Sequence, residues 1–195
     1  MSITGRLTCA VATLLLVGFA LQPRAVLAYE DEASPANPLA RATTLVLLRH
    51  AEKDPAGDKR DPGLSAAGKL RAEALAKHFA AAGVTHLFAT EYHRTQDTLA
   101  PLAQSSGVKT TVTSGAKTAE LLLALKSLPP GSVALVAGHS NTVPQIAQHF
   151  GLALAHTETS EHGAVLPEDA FDRLYVITLP PEGSKVAPAL LELRY

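Results

Sequence analysis

Four residues in this chain have types and positions suited to anion chemistry: Arg49, His50, Arg94 and His139. Two guanidinium forks and two imidazoles gathered in one place repel each other unless an anion joins them. The planar fork of arginine matches phosphate oxygens two at a time and stays charged at any working pH. A neutral imidazole is a covalent nucleophile, and nearby arginines keep it neutral by lowering its pKa. Together the four imply attack by a histidine on a phosphoryl group held by arginines. No metal is required, and the sequence carries neither a Walker-type loop nor a carboxylate cluster for magnesium.

The flanking sequence says how such residues could meet. Thr43-Thr44-Leu45-Val46-Leu47-Leu48 runs straight into Arg49-His50, and Ser132-Val133-Ala134-Leu135-Val136-Ala137 into Gly138-His139. Continuous apolar runs of this length read as strands buried on both faces, as in a parallel sheet. Ligands of open α/β sheets lie beyond the carboxyl ends of the strands, where both histidines fall.

Between these runs, strand and helix patterns alternate. Ser65 caps a helix over 66–82 closed by Gly83, and a strand over 84–89 leads to Thr90-Glu91-Tyr92-His93-Arg94. A helix over 95–104 with Gly107 behind it, a strand over 108–112 and a helix from 117 or 118 to 128 follow. After the strand over 132–137 come a helix over 141–150, an irregular stretch over 151–170, a strand over 173–179 and its hairpin partner over 186–193. The expected fold class is α/β: a three-layer αβα sandwich with a mostly parallel central sheet and an antiparallel C-terminal edge.

The N-terminus reads differently. Arg6 precedes an apolar run over 7–21, and Val26-Leu27-Ala28 offers small residues for cleavage, so 1–28 reads as a secretory signal peptide. The run is shorter than the ~20 residues a spanning helix needs, so no stable membrane span is expected after cleavage. Residues 29–42, polar and proline-containing, read as a flexible leader, and 43–195 as the folded domain. The chain is 47% apolar with a formal charge of −1, and its one cysteine, Cys9, lies in the signal segment. Disulfide and thiol chemistry are excluded for the mature chain, and a nucleic-acid surface would need a strong basic excess. Location in the periplasm or outside the cell is expected, and the oligomeric state is not readable.

Four ordered motifs carry a family resemblance. Leu48-Arg49-His50-Ala51-Glu52 resembles the Arg-His-Gly signature of the histidine phosphatase (phosphoglycerate mutase-like) superfamily. Leu64-Ser65-Ala66-Ala67-Gly68 is similar to its Leu-(Ser/Thr)-x-x-Gly segment. Thr90 to Thr98 is similar to its Ser-x-x-x-Arg-(Ala/Thr)-x-x-Thr motif, and Gly138-His139 to its late Gly-His pair. Ser140 stands where the acid-phosphatase branch has Asp, so the resemblance is to the mutase-like branch, branch 1.

The resemblance implies a phosphoglycerate mutase-like fold, no cofactor and a small phosphorylated substrate. It makes His50 the residue phosphorylated, Arg49 and Arg94 the clamps, and His139 the second phosphoryl-binding imidazole. Asn141 and Thr142, at a helix N-terminus behind His139, are candidate substrate-binding residues. Glu120 is the candidate general acid, with Glu52 and Glu91 as alternatives. Ala51 for Gly and Thr90 for Ser are departures that leave the chemistry intact. Little sequence between Thr98 and Glu120 is available for a mutase lid. The expected activity is therefore phosphomonoester hydrolysis through a phosphohistidine. Alternatives are a phosphoryl-transfer mutase, a protein phosphohistidine phosphatase, or a phosphate-binding module without turnover.

Overall fold

The structure is a computed structural model and describes residues 41–195. The signal-peptide segment and all but the last two residues of the 29–42 leader lie outside the described residues. Arg41, within that leader, accepts a hydrogen bond from the Gly131 N–H at 3.1 Å, so the leader reading does not extend to it.

A six-stranded sheet organises the chain. In chain order its strands are β1 (Thr43–Arg49), β2 (His86–Thr90), β3 (Thr110–Thr113), β4 (Val133–Gly138), β7 (Arg173–Leu179) and β8 (Ala189–Arg194). Their spatial order is β3-β2-β4-β1-β7-β8, parallel from β3 to β1 and antiparallel at β7 and β8. Helices α1 (Ala66–His78) and α2 (His93–Ser106) cover one face, α3 (Thr118–Lys126) and α4 (Thr142–His149) the other. Period-two alternation makes this work. Leu45 and Leu47 join Leu121, Leu125, Val143 and Ile146, whereas Val46 and Leu48 join Leu75, Leu99 and Leu102. With both faces covered, the middle of β1 is apolar at every position from Leu45 to Leu48, ahead of Arg49.

Some boundaries differ from the sequence reading, for physical reasons. Helix α1 stops at His78 rather than 82: Phe79 turns into the core beside Leu75, while Ala80 to Ala82 have no bulk to bury. Helix α2 starts at His93, earlier than expected, because the Asp61 carboxylate accepts the His93 N–H at 3.0 Å. That cap comes from 32 positions upstream. The stretch 151–170 is not wholly irregular, since β5 (Glu158–Ser160) and β6 (Gly163–Val165) form a short antiparallel hairpin. Its turn holds Gly163 at φ 105, with Ser160 Oγ donating to the Gly163 carbonyl.

One close approach fixes the loop after β1. A Cβ on Gly68 would overlap the Glu52 carbonyl oxygen, which also accepts the Ser65 N–H. Glu52 in turn pairs with Arg71 on the same helix. Gly68→Ala must therefore displace backbone on one side or the other. It is expected to cost ~1–3 kcal/mol, as overpacking does, read as a lower denaturant midpoint at unchanged slope.

Candidate active site

Strand register brings the expected residues together. Arg49 lies opposite Gly138 in the parallel β1–β4 pair, and the His50 N–H bonds the Gly138 carbonyl at 2.9 Å. His50 and His139 are therefore lateral neighbours, their ring centroids 5.4 Å apart and edge-on. Ala89 of β2 lies opposite Ala137 of β4, which carries Thr90 to the side of His139. Gly138 is required at this point, because a Cβ there would press on Thr142 Oγ1, the acceptor of the His139 N–H.

Around these strand ends is a hollow of about 490 Å³ lined by Arg49, His50, Arg94 and His139, with Ser140, Asn141 and Thr142 at the start of α4. Lys53, Tyr92, Gly115 and Ala116 complete it. Among the described residues its lining contains no carboxylate. The polar groups are held from behind. Arg49 Nη1 donates to the Pro167 and Glu168 carbonyls at 2.8 and 2.7 Å, and its guanidinium lies 4.3 Å from the Phe171 ring centroid. Arg94 stacks at 4.2 Å on Tyr92, with the Asp61 carboxylate 3.6 Å from Nη1. Both arginines keep a buried Nε–H that no protein atom accepts.

Electrostatics sets the protonation states. Burial, together with the His139, Arg49 and Arg94 charges and against a hydrogen bond to the Ala51 carbonyl, pushes the His50 pKa down to about 3. His139 is lowered to about 4, chiefly by burial and then by Arg94, with Glu91 opposing. Both rings are neutral at physiological pH. His50 Nδ1 is 2.7 Å from the Ala51 carbonyl oxygen, which can only accept. The proton of His50 is therefore on Nδ1, and the lone pair is on Nε2.

The model of the histidine phosphatase superfamily (branch 1) matches residues 45–122. That span holds the first three of the four motifs and the strand that delivers His50. Over that span the chain is similar to the histidine phosphatase superfamily, branch 1. No curated protein sequence matches it, but solved structures do. A mycobacterial hydrolase superposes with a TM-score of 0.60 at 15% identity, covering 80% of this chain and 99% of that one. A mycobacterial glucosyl-3-phosphoglycerate phosphatase gives 0.54 at 14%, covering 80% and 99%. The protein histidine phosphatase SixA complexed with tungstate gives 0.53 at 13%, covering 77% and 96%. At such identities the likeness is one of fold: the mixed, mostly parallel sheet with antiparallel strands is shared with these structures.

The three carboxylates named from the sequence sit differently. Glu120 does not line the hollow: its side chain is 61% exposed and paired with Lys117 at 2.8 Å, which is a surface ion pair in a first helical turn. Glu52 is taken up by Arg71, whose hydrogen bonds lower its pKa. Glu91, exposed and outside the lining, accepts the N–H of the lining residue Gly115 at 2.6 Å. The sequence reading missed Tyr92, Phe171 and Asp61, which brace the arginines. Tyr92 stood inside a quoted motif, two places before Arg94. Phe171 and Asp61 gave no local signal, because their contacts join segments far apart in the chain.

Keeping two imidazoles neutral has a consequence for stability. Their folded pKa values lie below the unfolded value of 6.5, so between about pH 6.5 and 4 the unfolded chain binds more protons. Native stability is therefore expected to fall as pH drops through that window. Thermal melts from pH 7 to 4 should show Tm decreasing, with a shallower slope in His50→Asn. An equal slope in both would contradict the assigned protonation.

Proposed function

We propose that this superfamily member is a phosphomonoesterase working through a phosphohistidine on His50, exported to the periplasm or beyond by residues 1–28. The observation that carries the reading is the neutral His50 ring. Its Nδ1–H bonds the Ala51 carbonyl and its Nε2 has no partner among the described residues, in a hollow it shares with two arginines. Likeness in fold to SixA and to the glucosyl-3-phosphoglycerate phosphatase, both named as phosphatases, supports it.

In the first step His50 Nε2 attacks phosphorus. Arg49, Arg94 and the start of α4 hold the equatorial oxygens, whose charge grows in the transition state. The leaving alkoxide takes a proton from water in the open hollow and departs as the alcohol. Water then attacks phosphorus from the vacated side, and His50 is released with its Nδ1–H still on Ala51. Purified protein should hydrolyse p-nitrophenyl phosphate in the presence of EDTA, and N-terminal sequencing of the exported form should begin at Tyr29. Activity that needs added divalent metal would overturn the direct-attack reading.

Glu120 is expected to contribute little to this chemistry. Glu120→Gln should keep kcat/KM within a few-fold of wild type, since exposed pairs are worth ~0–1 kcal/mol. A fall near a hundredfold would restore it as the general acid.

A second reading, hydrolysis of phosphohistidine in a protein, is favoured by two observations. The hollow is wide and open for a single phosphoryl group, and SixA shares the fold. Comparing kcat/KM on a phosphohistidine peptide and on p-nitrophenyl phosphate separates the two.

A further inference from the structure

The hydrogen-bond pattern behind His139 determines which of its ring nitrogens carries the proton. Thr95 Oγ1 lies 2.8 Å from the Tyr92 carbonyl and 3.0 Å from the Thr90 carbonyl. Neither carbonyl can donate, so the single hydroxyl proton of Thr95 is committed to them. Thr95 Oγ1 is also 2.9 Å from Thr90 Oγ1 and can only accept there, so Thr90 donates its own proton to Thr95. Thr90 Oγ1 is then left as an acceptor at 3.0 Å from His139 Nε2. That nitrogen must carry a hydrogen. Thr90 and Thr95 are both buried, which removes water as an alternative donor to either hydroxyl.

The neutral His139 ring therefore has its lone pair on Nδ1, which has no protein partner among the described residues, and the ring itself lines the hollow. A lone pair facing phosphoryl oxygens repels them. We propose that Thr90 and Thr95 are positioning residues which hold His139 as its Nε2–H tautomer, so that it grips a phosphoryl oxygen only after taking a second proton onto Nδ1. The proton comes from solvent or from the singly protonated phosphomonoester. One N–H bond forms, nothing is oxidised or reduced, and the substrate is held as a dianion against an imidazolium. His50 is the opposite tautomer, with Nδ1–H on Ala51 and its lone pair kept for phosphorus.

The charges that face His139 fit a proton taken up with the anion and not before. Arg94 of α2 and Arg49 of β1 disfavour imidazolium in the empty site, His50 adds no charge while neutral, and Glu91 after β2 favours it only in part. Tyr92 packs edge-on at 5.3 Å and contributes no charge. An oxyanion bridging the two guanidiniums cancels the first two terms and adds a strong attraction.

This inference rests on the phosphoryl reading of the site, and tungstate tests both separately. Tungstate is a dianion carrying no proton near neutrality, so any proton taken up on binding goes to the protein. Calorimetric titration of the full chain at pH 7.5, in two buffers of different ionisation enthalpy, is expected to show uptake of about one proton per tungstate. That is the linkage for a group moved from a pKa below the working pH to one above it. Thr90→Ser should retain the uptake. Thr90→Val, which frees Nε2 and lets the ring carry its hydrogen on Nδ1 instead, should lose at least half of it.

Long-range proton–nitrogen spectra of the wild type should show His139 as Nε2–H when free and as imidazolium with tungstate. This reading stands even if Thr90→Val does not fold. Tungstate binding without proton uptake, equal uptake in Thr90→Val, or a free His139 in the Nδ1–H form would overturn the tautomer assignment alone. No tungstate binding at all would overturn it together with the phosphoryl site.

Discussion

Alanine at position 50 is expected to abolish phosphomonoester hydrolysis, lowering kcat by at least ~10³-fold. Removing a covalent nucleophile closes the pathway rather than slowing one step of it. The size of the effect follows from how His50 is held. Its Nδ1 is tied to the carbonyl of the very next residue, and the Ala51 N–H bonds Thr98 Oγ1 at 2.9 Å, so ring and loop are fixed as a unit. His139 turns Nε2 to Thr90 and lies 5.4 Å from His50 between ring centroids.

The variant should still bind tungstate, since both arginines remain. Alkaline quenching of the wild type with labelled substrate should trap an acid-labile phosphoprotein that is missing in His50→Ala. Activity within tenfold of wild type would show that phosphoryl transfer goes directly to water.

How far the sequence led depends on which contacts did the positioning. Strands β1 and β7 were legible to the residue, and in β1 burial on both faces forces an unbroken apolar run from Leu45 to Leu48. The meeting of His50 with His139 was equally legible, since two such runs ending in histidine have one natural place in a parallel sheet. What the sequence could not supply was the support behind the charged groups. Asp61 both caps α2 and faces Arg94, yet it lies in a loop defined only by its turn residues. Pro167, Glu168 and Phe171 brace Arg49 through two backbone carbonyls and a ring face, and backbone carbonyls leave no trace in side-chain identity. Glu120 illustrates the converse. A carboxylate in a first helical turn suits the helix dipole whether or not it does chemistry, so its position carried little information.

Arg94→Lys is the second exchange expected to have a large effect, and it separates charge from shape. Lysine keeps the positive charge but replaces a planar fork of five donors with a compact, strongly hydrated ammonium. Arg94 is held between two groups: its guanidinium carbon is over the Tyr92 ring, 4.2 Å from the centroid, and its Nη1 is 3.6 Å from the Asp61 carboxylate. An ammonium cannot stack in that way, and it is free to move the short distance to the Asp61 carboxylate, whose charge would then be neutralised by a group no longer aimed at the phosphoryl oxygens. The expected fall in kcat/KM is ~10²-fold, comparable to loss of one preorganised donor to a developing oxyanion. Most of it should appear in kcat, because the negative charge on the equatorial oxygens is better matched in the transition state than in the bound ester. Steady-state kinetics on p-nitrophenyl phosphate measures the split. A rise in KM alone, with kcat preserved, would mean that Arg94 only gathers substrate; kcat/KM within threefold of wild type would mean that the fork geometry is irrelevant and that Arg49 holds the phosphoryl group by itself.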